Sequence, residues 1–107
     1  MYNITVIKLS VKTAANIKDK IIGLIGKDKA TPLMIKTRFG IHTFGLKFPI
    51  DILILNKENK IVIIKKNLKP NQIFFWNPRY EKVLELPQGM VEKKVIKMQM
   101  PIDIRIL

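Results

Sequence analysis

The chain has 107 residues, 48% of them hydrophobic, no cysteine, and twenty basic against eight acidic side chains for a formal charge of +12. That length accommodates a single domain, residues 1–107, with one core and no separate catalytic and substrate-binding halves. The lack of cysteine excludes disulfides, thiolate nucleophiles and cysteine-ligated zinc or iron–sulfur centres.

Along the chain, β-branched alternation from Asn3 to Ser10 predicts a strand. The period then changes: Ile17, Ile21, Ile22, Leu24 and Ile25 fall on one helical stripe, with Asn16 as N-cap and Gly26 as C-cap. After a loop over Lys27–Pro32, Leu33–Arg38 reads as a strand. A glycine-punctuated segment follows, Gly40-Ile-His-Thr-Phe-Gly-Leu-Lys-Phe-Pro-Ile-Asp51. It holds the only histidine. Ile50–Leu55 is almost continuously apolar and predicts a strand buried on both faces.

Lys57–Lys60 has turn chemistry, so Leu55 and Ile61 should open the arms of an antiparallel hairpin returning over Ile61–Lys66. Asn67–Asn71 reads as a loop, Gln72–Trp76 as a strand, Asn77–Arg79 as a turn and Lys82–Leu86 as a strand. Gln88–Lys94 is long enough for about two helical turns, and Met98–Leu107 closes the chain as a strand. The expected fold is mainly β (α+β), a compact antiparallel barrel-like sheet with two short helices. No repeat or linker interrupts it.

No window approaches the length of apolar sequence that spans a bilayer, and the N-terminal residues lack the tripartite pattern of a signal peptide, so the expectation is a cytoplasmic protein with no membrane contact. The charge invites a nucleic-acid reading. Against it, the basic residues are spread along the chain and seventeen of the twenty are lysine, whereas base and phosphate readers favour arginine. A solvated lysine surface is the reading this distribution favours.

Four blocks resemble the DUF192 (UPF0127) family of small prokaryotic domains. They are Gly23-Leu-Ile-Gly-Lys27, the run Leu33–Leu46 containing Gly-Ile-His-Thr-Phe-Gly, then Pro49-Ile-Asp-Ile-Leu-Ile-Leu55, and Val83-Leu-Glu-Leu-Pro-Gln-Gly89. Leu46 stands where the family usually has methionine, and Met98-Gln-Met-Pro101 replaces its C-terminal Gly-Asp. The resemblance implies a compact β fold with short helices and carries no established biochemical activity.

The candidate site residues come from the central segment and its surroundings: Arg38, His42, Thr43, Lys47, Asp51 and Glu85. Asp51 and Glu85 each sit among apolar residues, where a carboxylate without partners is costly. Either they accept hydrogen bonds from loop amides or pair with Arg38 or Lys47, or they line one polar pocket with Arg38, His42, Thr43 and Lys47 over an apolar floor of Phe44, Phe48 and Trp76. Phe74 and Trp76 should share one face and Phe75 the other; an exposed Phe75 beside lysines would offer a stacking surface.

The resulting expectation is a non-catalytic binding module for a small polar ligand or a protein partner, with no cofactor and no metal. One histidine with scattered carboxylates offers no zinc or calcium ligand set. Two alternatives stand beside it: a hydrolase-like enzyme using His42 with Asp51 or Glu85, and a basic nucleic-acid-binding protein.

Overall fold

A computed structural model of the chain describes residues 6–14 and 32–106. In chain order the elements are β1 (Ile7–Ala14), β2 (Leu33–Lys36), β3 (Ile41–His42), β4 (Ile50–Leu55), β5 (Ile61–Leu68), β6 (Ile73–Phe74), β7 (Lys82–Pro87), the single-turn helix α1 (Met90–Lys93) and β8 (Ile102–Ile106). Six strands form one curled, half-barrel sheet in the order β5-β4-β7-β2-β1-β8, and β3 pairs with β6 in a second, two-stranded sheet. The helix expected over residues 16–25, residues 27–31 of the expected loop and residues 3–5 of the first expected strand lie outside the described residues.

Ile50–Leu55 forms β4 with every residue buried, because this strand runs between β5 and β7 with both faces covered. Ile50, Ile52 and Ile54 pack with Leu33, Ile35, Val83 and Trp76 on one face. Leu53 and Leu55 pack with Leu84, Leu86, Val91 and Ile96 on the other. Each such side chain fully removed from water contributes about 1.5–3 kcal/mol. The sheet is therefore the centre of two apolar layers, one covered by β3 and β6 and the other by α1 and the chain that follows it.

The hairpin from Leu55 to Ile61 forms in the expected register. Asn56 organises its turn: the side-chain Oδ1 accepts the N–H groups of Glu58 at 2.9 Å and Lys60 at 3.0 Å, while Asn59 takes the left-handed conformation at φ 60°.

Several boundaries move, for physical reasons. β1 begins at Ile7 and runs on to Ala14, because its partners are β8 from Ile102 and β2 from Leu33; Leu9 and Val11 supply its buried face. Both pairings are parallel, so the sheet is mixed where the strand pattern suggested antiparallel pairing throughout. β5 passes through the expected loop to Leu68, since Asn67 at φ 56° absorbs a bulge and returns Leu68 to pair with Ile50. β6 is confined to Ile73–Phe74, the two residues that pair with β3.

The second helix is one turn rather than two. It ends in a Schellman motif, in which Ile96 N–H donates to Val91 O at 2.9 Å and Val95 N–H donates to Glu92 O at 3.1 Å. Val91 and Ile96 make the accompanying apolar contact in the core. The left-handed position is occupied by exposed Val95 at φ 53°, a conformation that costs an L side chain about 1–2 kcal/mol. Val95→Gly should therefore stabilise the protein by about 0.5–1 kcal/mol, after allowing for glycine's greater chain entropy. The check is chemical denaturation; an unchanged or lower midpoint at constant slope would contradict it.

Candidate functional site

Asp51 lies at the start of β4, opposite the β5 bulge, and is only 2% exposed. Its carboxylate is filled by backbone donors. Oδ1 accepts the Asn67 N–H at 3.0 Å, and Oδ2 accepts the Gly89 N–H at 3.1 Å and the Val91 N–H at 3.2 Å. Gly89 is the residue before α1 and sits at φ 86°, which turns its amide toward the carboxylate. One side chain thus joins β4, the bulged end of β5 and the entry to α1. Gln88 reinforces the junction by donating from Nε2 to Asn67 Oδ1 at 2.8 Å.

Glu85 occupies β7 opposite Ile52, and Asp51 is opposite Leu86. Directly paired antiparallel residues point to the same face, so the two carboxylates point to opposite faces of the sheet. Asp51 lies with Leu53 and Leu86, Glu85 with Ile52 and Leu33. They do not line a common pocket. Glu85 is buried and has a hydrogen-bonding or electrostatic partner of its own.

Thr43 is buried at the end of β3 and clamps the loop before β6. Its hydroxyl donates to Lys69 O at 2.6 Å and accepts the Gln72 N–H at 2.9 Å; its amide donates to Gln72 O at 2.9 Å and its carbonyl accepts the Asn71 N–H at 3.2 Å. Arg38 is turned away from both buried carboxylates. It bonds Pro78 O at 3.0 Å and pairs with Glu81 at 3.2 Å, beyond the end of β2. Lys47 is exposed.

His42 is exposed on the outer side of β3. Its Nδ1 accepts the Phe44 N–H at 3.3 Å, so the neutral ring carries its proton on Nε2. The imidazole stacks on Phe44, with centroids 4.9 Å apart and planes inclined by 25°. No ion pair among the described residues involves His42, and no group of three or more potential metal-ligating side chains gathers among them. The fold brings His42, Thr43 and Lys47 into one segment, while Arg38, Asp51 and Glu85 fall at separate places on the main sheet. Phe44 is on the outer surface rather than on a pocket floor; Phe48 and Trp76 pack inward.

Two concavities of very different size involve other residues. One of about 30 Å³, room for roughly one water, lies beside Arg38, Asn56, Tyr80 and Lys82. The other is a groove of about 650 Å³ along Lys94–Pro101, on the α1 side of the sheet.

The feature that residue-by-residue reading passes over is the outer face of the β3–β6 sheet. Ile41 and Phe74 are paired and packed inward, whereas His42 and its partner Ile73 point outward. Phe75 also points outward and is 69% exposed; Ile73 is 54%, Phe44 48% and neighbouring Phe39 85% exposed. Gly40 makes room for the arrangement, because a Cβ there would stand 2.8 Å from Phe75 Cδ1 and 2.8 Å from Phe74 O. Seven of the eight aromatic residues fall in segments 36–50 and 69–80, which carry Lys36, Arg38, Lys47, Lys69 and Arg79 but no carboxylate. That clustering is the sequence signal for this face.

Comparison with known proteins bears on the whole chain. Residues 3–104 match the family model DUF192, described as Uncharacterized ACR, COG1430. The chain belongs to the DUF192 family. No curated protein matches it. Two solved structures share the fold at a TM-score of 0.67. The first, a "putative transcription regulator" from Sinorhizobium meliloti 1021, is 18% identical, with 83% of this chain and 76% of that one covered. The second, a protein of unknown function from Novosphingobium aromaticivorans DSM 12444, is 15% identical, covering 84% and 70% respectively. At these identities the likeness concerns the fold of the DUF192 domain. Among the described residues no helix is long and apolar enough to cross a membrane.

Two substitutions separate the junction from the face. Asp51→Ala leaves three amides, that of Val91 fully buried, without their acceptor and should cost about 2–4 kcal/mol by urea denaturation, with Asp51→Asn costing less because one carbonyl oxygen remains. A loss below about 1 kcal/mol for Asp51→Ala would contradict this role. Gly40→Ala meets both a positive φ of 99° and the Phe75 ring, and should cost about 2 kcal/mol or more; a change near zero in the same measurement would mean that the ring yields freely.

Proposed function

We propose that this DUF192 domain is a non-catalytic binding module of the cytoplasm that takes an anionic polar ligand or partner on the outer face of the β3–β6 sheet. The observation that carries the reading is the juxtaposition of exposed Phe44, Ile73 and Phe75 with a surrounding chain rich in cations and free of carboxylates. A monomeric soluble domain gains nothing from leaving such rings in water, and contiguous apolar exposure marks contact surfaces. The charge of the flanking segments selects a partner of opposite sign.

Binding stands ahead of catalysis because the polar groups that chemistry would use are already committed to structure. Asp51 is filled by three amides, Thr43 by the Lys69–Gln72 loop and Arg38 by Glu81 and a carbonyl. His42 has its Nδ1 occupied by a backbone amide and faces solvent. A general base needs an orienting group and a substrate position in addition to an imidazole.

The test is a thermal-shift panel of nucleotides, phosphorylated sugars and oligoglutamate on the wild type, Phe75→Ala and His42→Ala. A ligand at about 100 times its Kd adds about 2.7 kcal/mol and raises the Tm by roughly 10 °C or more in a domain of this size. The expected result is a shift by at least one anionic class that shrinks in Phe75→Ala while the unliganded Tm stays within a few degrees. No shift across the panel, shifts indifferent to Phe75→Ala, or ester or phosphate hydrolysis abolished by His42→Ala would each overturn the reading.

A further inference from the structure

Resting on the reading of the β3–β6 face as a contact surface, we infer that its occupant is single-stranded nucleic acid, with bases stacked on the exposed rings and phosphates held by the flanking cations. The geometry supplies both halves of that recognition. Phe44 stacks on His42 where β3 ends, with Ile73 directly across from His42 and the Phe75 ring over Gly40.

His42 and Phe44 are stacked on one another, with centroids 4.9 Å apart and planes inclined by 25°, and the outer side of that stack is the face open to a base. Phe75, held over Gly40, offers a second ring across the pair of strands. Every base has a π face, so such a row binds without hydrogen-bond readout, and each stacked base contributes about 1–3 kcal/mol.

The phosphate half rests on the exposed lysines Lys47 and Lys69. No carboxylate among the described residues is paired with them, in contrast to Arg38, Lys60 and Lys66. The surrounding segments 36–50 and 69–80 contribute no carboxylate that would repel a polyanion.

Other occupants use only part of this surface. An acidic peptide would satisfy the lysines and leave the aromatic faces without a planar partner. A duplex hides its base faces inside the stack. A second copy of the chain would bring together two molecules of charge +12, with like-charged rims.

The experiment is fluorescence anisotropy of labelled oligothymidylate and oligouridylate of about 12 nucleotides, beside a duplex of the same length and a labelled oligoglutamate, at low and raised salt. Binding of either single strand in preference to the duplex is expected, and the two arms distinguish DNA from RNA. Phe75→Ala and Phe44→Ala should each weaken it about tenfold, Phe75→Tyr should retain it, and Lys94→Ala on the α1 side should leave it unchanged. Removing Lys47 and Lys69 together should flatten the log–log salt dependence by roughly 0.7 per lysine. Tm values of the variants confirm folding.

No single-strand binding, or equal binding of single strand and duplex that ignores Phe75→Ala, would overturn the inference. Oligoglutamate bound in a Phe75-dependent manner without single-strand binding would also overturn it, while leaving the contact face itself in place. Loss of Phe75 dependence for every ligand would remove both.

Discussion

The carboxylate of Asp51, closed off from water and occupied by three main-chain amides, is the constraint around which this domain is arranged. A buried carboxylate without donors would be prohibitive, so each of the three segments must arrive in place for the others to be tolerable. The bulge in β5, the positive φ of Asn67 and Gly89 and the position of α1 are consequences of that demand. Through α1 the same junction fixes Val91 and Ile96, which close the apolar layer on that side of the sheet. The interaction is local in sequence for none of its partners, which ties chain order to topology.

The opposite layer is organised differently. There, the small β3–β6 sheet is held by Thr43 and by the inward packing of Ile41, Phe74 and Trp76, whose indole N–H donates to Tyr80 O at 2.8 Å. Both anchors face the core, and the outer side chains Phe44, Ile73 and Phe75 take no part in either apolar layer. The domain therefore has a stiff sheet with one side sealed by a helix turn and the other presenting rings to solvent.

What could be read from the sequence follows the strength of local signals. The run Ile50–Leu55 has no alternative to burial on both faces, and Lys57–Lys60 between β-branched runs dictates a hairpin; both are present as expected. The cost of an isolated carboxylate at Asp51 called for a partner without saying which, and among the amides, cations and pocket that were open to it the partners are main-chain amides. The opposing orientations of Asp51 and Glu85 depend on the register of β4 against β7, and a slip of one residue would place them on the same face; no local pattern encodes that register. The parallel insertion of β1 between β2 and β8 is equally nonlocal. The outer aromatic face was present in the sequence as a concentration of rings and cations in two segments, but it emerges only when those segments are considered together. The segment Gly40–Asp51 is thus split by the fold: its end belongs to the core junction and its beginning to the surface.

Gly40 gives this division a longer reach. By omitting one methyl group, the backbone itself reserves the place where the Phe75 ring lies. The platform is consequently specified by main-chain shape, while the chemistry it displays is set by side chains that the core does not need. Positions 39, 44, 73 and 75 lie outside both apolar layers, so the surface they display is decoupled from the packing that holds the sheet together.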